Sequence, residues 1–128
     1  MLVYNFKILD EEKVFVKSGI ITYMFDSFKC LRTFDKLRIR KNKGLFYRGS
    51  TYIEKENITK LKKIVSSWKE LFNEASEEFI LTGFFNKKLN EYERANYNKN
   101  EVIESLEKLI ILCEKAENEN KIIEHWGI

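Results

Sequence analysis

Along the first 55 residues, apolar and polar positions alternate in short runs. Over 58–75, and again over about 100–118, the period lengthens to that of a helix. Residues 2–9 (LVYNFKIL) alternate loosely and are rich in strand formers. Asp10-Glu11-Glu12 reads as a turn and residues 13–17 (KVFVK) as a second short strand, which together predict a hairpin. Residues 20–34 (IITYMFDSFKCLRTF) carry two signals. Ile20, Met24, Phe28 and Leu31 have helical spacing, yet IITYMF is strongly β-prone. The β-branched and aromatic content predicts a strand over 20–25, then a helical turn over 27–34 capped by Asp26. Residues 36–40 (KLRIR) alternate cleanly, with Leu37 and Ile39 expected inward and Arg38 and Arg40 outward. Asn42-Lys43-Gly44 signals a turn. Residues 45–53 read as the returning strand, with Gly49 at a bulge or close approach.

From Ile58 to Ala75, apolar residues at 58, 61, 64, 65, 68, 71, 72 and 75 make a continuous helical stripe, with Asn57 as the expected N-cap. FILTGFF, 79–85, has the composition of a buried strand, whereas 86–99 is polar and without sustained period, and reads as a long loop. Asn98 and Glu101 have capping-box spacing ahead of a second helix over about 100–118. Its buried side is Val102, Ile103, Leu106, Leu109, Ile110, Cys113 and Ala116, and Asn118 and Asn120 can end it. The last eight residues, KIIEHWGI, are too apolar for a fraying end and predict a final strand tucked into the sheet. The expected fold is one α+β domain over 1–128. It has a mostly antiparallel sheet of five to seven strands covered by two long amphipathic helices.

Composition narrows the class. Apolar residues are 44% and charged residues 34%, enough for a core and too polar for a membrane protein. The longest apolar run, from Leu109 to Cys113, is far short of the ~20 residues that span a bilayer. Asn5 and Lys7 interrupt the N-terminal apolar residues, so no signal peptide and a cytoplasmic location are expected. Cys30 and Cys113 sit in apolar contexts and read as free, buried thiols. The net charge of +3 hides an asymmetry: residues 1–64 hold fifteen Lys/Arg against seven Asp/Glu, and residues 65–128 hold eight against thirteen.

Candidate chemistry is sparse. One histidine and no CxxC leave no zinc site, no DxD cluster suits another metal, and no cofactor is expected. Residues 44–51 have a phosphate loop's glycine spacing, but Ser50 stands where the lysine must be. His125 lies beside Glu124 in sequence, yet on a strand the two point to opposite faces, and a half-exposed histidine is the expectation. The carboxylate pairs Glu70/Glu74, Glu77/Glu78, Glu91/Glu93 and Glu101/Glu104 read as solvated surface. No catalytic residue is assigned.

Two stretches suggest binding. Residues 29–48 carry eight cations against Asp35. Among them Arg38, Arg40, Lys41, Lys43 and Arg48 lie near Phe46 and Tyr47, a mixture suited to nucleic acid, to an acidic protein, or to a charge-guarded sheet edge. The stretch 86–99 offers Glu91, Tyr92, Glu93 and Tyr97, a tyrosine and charge pattern suited to a protein partner.

ILTGFF, a polar loop, and then SLEKLIILCEKAENENKIIEHWGI resemble the last third of small immunity proteins from bacterial polymorphic-toxin and contact-dependent growth inhibition systems. The helix from Leu106 to Ala116, the Asn/Glu/Lys break and the closing Gly127-Ile128 carry the likeness. It implies a non-enzymatic cytoplasmic protein that binds a cognate toxin domain, often a nuclease; the likeness does not fix the binding surface, and the tyrosine and charge pattern of 86–99 makes Glu91, Tyr92, Glu93 and Tyr97 the expected contacts. A nucleic-acid-binding module using the basic 29–48 stretch is the alternative.

Overall fold

The computed structural model describes residues 3–8, 11, 13–37, 41–46 and 49–126. In chain order the elements are β1 (Val3–Ile8), β2 (Val14–Lys17), α1 (Ser18–Met24), a 3-10 turn (Phe25–Cys30), β3 (Arg32–Phe34), β4 (Lys41–Lys43) and β5 (Ser50–Ile53). They continue with α2 (Glu56–Asn73), β6 (Glu78–Asn86), β7 (Glu91–Asn98), α3 (Lys99–Glu119) and β8 (Ile123–Trp126). Six strands form one sheet in the order β2-β1-β8-β5-β3-β4, with every neighbouring pair antiparallel. β6 and β7 form a separate two-stranded ribbon. The class is α+β, as the periodicities indicate. The helices number three among the described residues rather than two, and the strands divide between two sheets.

The apolar chain end is explained by its position. β8 lies in the middle of the large sheet, between β1 and β5. Ile123 faces Ile8 on one side and Ile53 on the other, and His125 faces Phe6 and Thr51. The side chains on this face of the sheet are buried with those of α1, α2 and α3 in one continuous core. Side chains of the opposite parity, including Phe15, Trp126, Tyr52 and Phe34, lie outside that core.

The hairpin of β1 and β2 forms as the alternation predicts, with Tyr4 opposite Val16 and Phe6 opposite Val14. Residues 20–25, expected as a strand, are helical instead. Ile20, Ile21 and Met24 point into the core together, and tertiary burial outweighs their β propensity. Gly19 makes this packing possible, because a Cβ there would collide with the Tyr97 hydroxyl. The expected helical turn over 27–34 is split between the 3-10 turn and β3.

The segment 36–53 also departs from expectation. Lys36 and Leu37 form a turn and Leu37 is exposed rather than inward, while Arg38, Ile39 and Arg40 lie outside the described residues. Asn42 and Lys43 belong to strand β4, and the bend falls on Gly44 at φ +82°. The Thr33 hydroxyl donates to the Gly44 carbonyl at 2.6 Å. The returning strand begins only at Ser50, after Gly49 at φ +81°. Leu45 and Phe46 are buried without joining a strand.

α2 buries Ile58, Leu61, Val65 and Phe72 of its sequence stripe, whereas Leu71 faces solvent and Ala75 lies past the end of the helix. Asn57 does not cap it. The helix starts at Glu56, and the buried Asn57 side chain accepts the Arg32 N–H at 3.0 Å, which ties α2 to β3. α3 starts as the capping-box spacing predicts, with Asn98 Oδ1 accepting the Glu101 N–H at 3.1 Å. It ends at Asn120 in the left-handed region, where Lys121 N–H donates back to the Ala116 carbonyl at 2.9 Å. Polar ties also link the two long helices: Lys62 lies 2.7 Å from Glu117, which also accepts the Thr59 hydroxyl at 2.8 Å.

Candidate partner-binding ribbon

Groups able to do chemistry are dispersed. Cys30, expected to be buried, is exposed at the end of the 3-10 turn, whereas Cys113 is buried, and burial pushes its thiol up to about 12, which removes it as a nucleophile. His125 is buried rather than half-exposed, packed between the rings of Tyr4 and Phe6. Thr51, at the end of the glycine-spaced segment, is buried and accepts the Phe46 N–H at 2.8 Å, so its hydroxyl serves the fold. The carboxylate pairs named above are all exposed. Among the described residues no group of three His, Cys, Asp or Glu could hold a metal ion. Among them, too, no helix is long and apolar enough to cross a membrane.

The ribbon is different in kind. Residues 86–99, expected as a loop, contain the turn 87–90 and strand β7, which pairs with β6 from Glu78↔Asn98 to Asn86↔Glu91. An irregularity between Thr82 and Phe85 gives β6 one extra residue. At its base the inner face is anchored in the core. Phe79 stacks on Phe72 at 5.4 Å and on Tyr97 at 5.9 Å. Lys99 closes the base, its N–H donating to the Glu77 carbonyl at 2.8 Å and its Nζ to the Ala75 carbonyl at 3.1 Å. At the tip, Asn86 Oδ1 accepts the N–H groups of Lys88 and Leu89 at 3.0 and 3.2 Å, which shapes the turn.

Beyond Gly83 both faces of the ribbon are exposed, so its distal half stands clear of the core. The outer face carries Ile80, Phe85 and Tyr92, since Ile80↔Asn96, Thr82↔Arg94 and Phe85↔Tyr92 are cross-strand pairs. Ile80 is 60% exposed, Tyr92 58% and Leu89, at the tip, 66%. The rings of Phe85 and Tyr92 meet edge to face at 5.1 Å. So many large apolar side chains on one projecting element make the ribbon the candidate contact surface.

The expected contact residues are split by this geometry. Tyr92 lies on the outer face. Glu91 and Glu93 are exposed on the other face of the same strand. Tyr97 is only 3% exposed and belongs to the core, where desolvation raises its phenol above the usual range. Leu89 lies in the polar stretch read as a loop, and Ile80 and Phe85 are not singled out in sequence because FILTGFF has a buried strand's composition. The only signal against burial was its neighbour, a polar strand too weakly patterned to cover it. In the alternative basic set, Lys41 and Lys43 are exposed on β4, while Arg38, Arg40 and Arg48 lie outside the described residues. No family model, curated protein or solved structure matches this chain.

Proposed function

We propose that this chain is a non-enzymatic immunity protein that works in the cytoplasm by clamping a cognate bacterial toxin domain with the β6–β7 ribbon. The observation carrying this reading is the ribbon itself: a base stacked into the core, a turn tied by Asn86, and Ile80, Phe85, Leu89 and Tyr92 facing solvent. Between residues 77 and 98 the sequence holds four carboxylates and three cations, so near charge balance leaves apolar contact as the source of affinity. Glu91 and Glu93, on the opposite face of the same strand, would set orientation against a basic toxin cleft. The tyrosine-bearing stretch and the likeness of the C-terminal third support the same reading.

The test is coexpression with the toxin domain encoded beside this gene. The two chains are expected to coelute. Replacing Phe85 and Tyr92 together by Ala is expected to weaken the complex at least about thirtyfold, because outer-face truncation removes anchors without touching the core. Separate elution of the native pair, or full affinity in the double variant, overturns the reading.

A further inference from the structure

A second surface is unaccounted for by the ribbon. Among the described residues, helices cover the large sheet on its core side only. On the other side, the strand registers place side chains in rows. One row runs Phe15, Asn5, Trp126 and Ser50 across β2, β1, β8 and β5. The next runs Lys7, Glu124, Tyr52, Phe34 and Lys41 across β1, β8, β5, β3 and β4. Arg32 and Lys43 face each other two residues further along β3 and β4. Trp126 is 51% exposed although it sits on the central strand. Tyr52 and Phe34 lie parallel on neighbouring strands, their rings 6.0 Å apart and inclined by 19°.

Aromatic rings in the middle of an exposed sheet face need a reason, since the core is already supplied by the other parity. The charges around them suggest one. Lys7, Arg32, Lys41 and Lys43 share this face with one acid among the described strand residues, Glu124, which accepts the Ser50 hydroxyl at 3.2 Å. An open cleft on the β3–β4 side is lined by Arg32, Lys41 and Lys43 beside Phe34, with Glu54 also in its wall. Flat rings flanked by a bank of cations fit a chain whose units are planar and whose backbone is anionic.

We propose that the uncovered face of the six-stranded sheet binds single-stranded nucleic acid, with bases stacked on Trp126 and Tyr52 and phosphates held by Arg32, Lys41 and Lys43. Diagonal neighbours on adjacent strands lie about 7–8 Å apart, within reach of successive splayed bases. A duplex keeps its bases stacked on each other and offers the rings nothing. An acidic polypeptide would answer the cations and leave the rings unused. The proposal uses other residues than the ribbon and stands or falls independently of the toxin-binding reading.

The test is fluorescence anisotropy of the full chain with labelled ten-nucleotide oligo(dT) and oligo(U) at 50 mM salt, against a duplex of equal length. Single strands are expected to bind at least about tenfold tighter than the duplex, with affinity falling steeply as salt rises. Trp126→Thr is expected to cost about tenfold or more. Lys41→Glu with Lys43→Glu should weaken binding and flatten the salt dependence, whereas Lys60→Glu, on the exposed side of α2, should change affinity less than about twofold. Should Trp126→Thr fail to fold, the native protein gives the same information, because bound oligonucleotide must shield Trp126 from acrylamide quenching. Absence of binding at 50 mM salt, equal affinity for duplex, displacement by polyglutamate at equal charge, or unchanged quenching each overturns the proposal.

Discussion

At the scale of single residues, His125 carries the clearest consequence. It is 0% exposed, its ring stacks on Tyr4 at 5.1 Å and lies 4.8 Å from Phe6, and among the described residues neither nitrogen finds a hydrogen-bond partner. Burial holds its pKa down to about 3. The unfolded chain, whose histidine titrates near 6.5, therefore takes up a proton that the folded chain refuses. The resulting stability is fully present above about pH 6.5 and declines as pH falls toward 3. Near pH 4.5 the loss reaches roughly 3 kcal/mol. Urea unfolding midpoints should drop accordingly between pH 7 and 4.5, and His125→Phe should flatten most of that decline. An unchanged slope in the variant would show that other groups govern acid sensitivity. Sequence placed this histidine at a half-exposed chain end, because the rings that enclose it come from β1, more than a hundred residues away.

At the scale of elements, local signals were legible wherever the residues that satisfy a group lie within a few positions. The start and end of α3 follow from Asn98, Glu101 and Asn120, whose partners are neighbours in sequence. Asn57 shows the opposite case. It has a capping residue's chemistry and sits where a cap was expected, but β3 takes its oxygen through the Arg32 N–H. Asn57→Ala would leave that part-buried donor without its acceptor, at a cost of about 0.5–1.5 kcal/mol. Thermal unfolding should show the loss, and Asn57→Asp, which keeps an acceptor, should recover part of it. A plain N-cap would predict the same for Ala but no dependence on β3. Amide exchange at Arg32 should accelerate in the Ala variant and separates the two. The ribbon was half legible: β6 was found, but its partner β7 was hidden because its distal half, exposed on both faces, needs no alternation.

At the scale of the whole molecule, the sheet is closed by its last strand. β8 joins the β1–β2 hairpin to the β5–β3–β4 group, and in the described sheet these two halves touch through no other strand. A chain ending before residue 122 would leave Ile8, Ile53 and Phe6 without their cross-strand partners. It would also expose two inner strand edges. Such a truncation is expected to abolish cooperative unfolding and sharp near-UV circular dichroism. A truncated chain that still melts cooperatively would show that the two halves fold without the bridge. Pairing the first strand with the last also makes this a high-contact-order topology, in which folding waits on a long-range closure.

Sequence by itself determined the α+β class, helices α2 and α3 though not α1, the first hairpin and the strand at the chain's end. Each rests on a period or a cap that neighbouring residues complete. Tertiary structure decided what those signals could not reach: that 20–25 is a helix, that Tyr97 is interior and Tyr92 exterior, and which rings share the open face of the sheet. The reason is physical. A residue's propensity is a fraction of a kcal/mol, whereas burial of a large apolar side chain is worth about 1.5–3 kcal/mol, and burial is granted by neighbours distant in sequence.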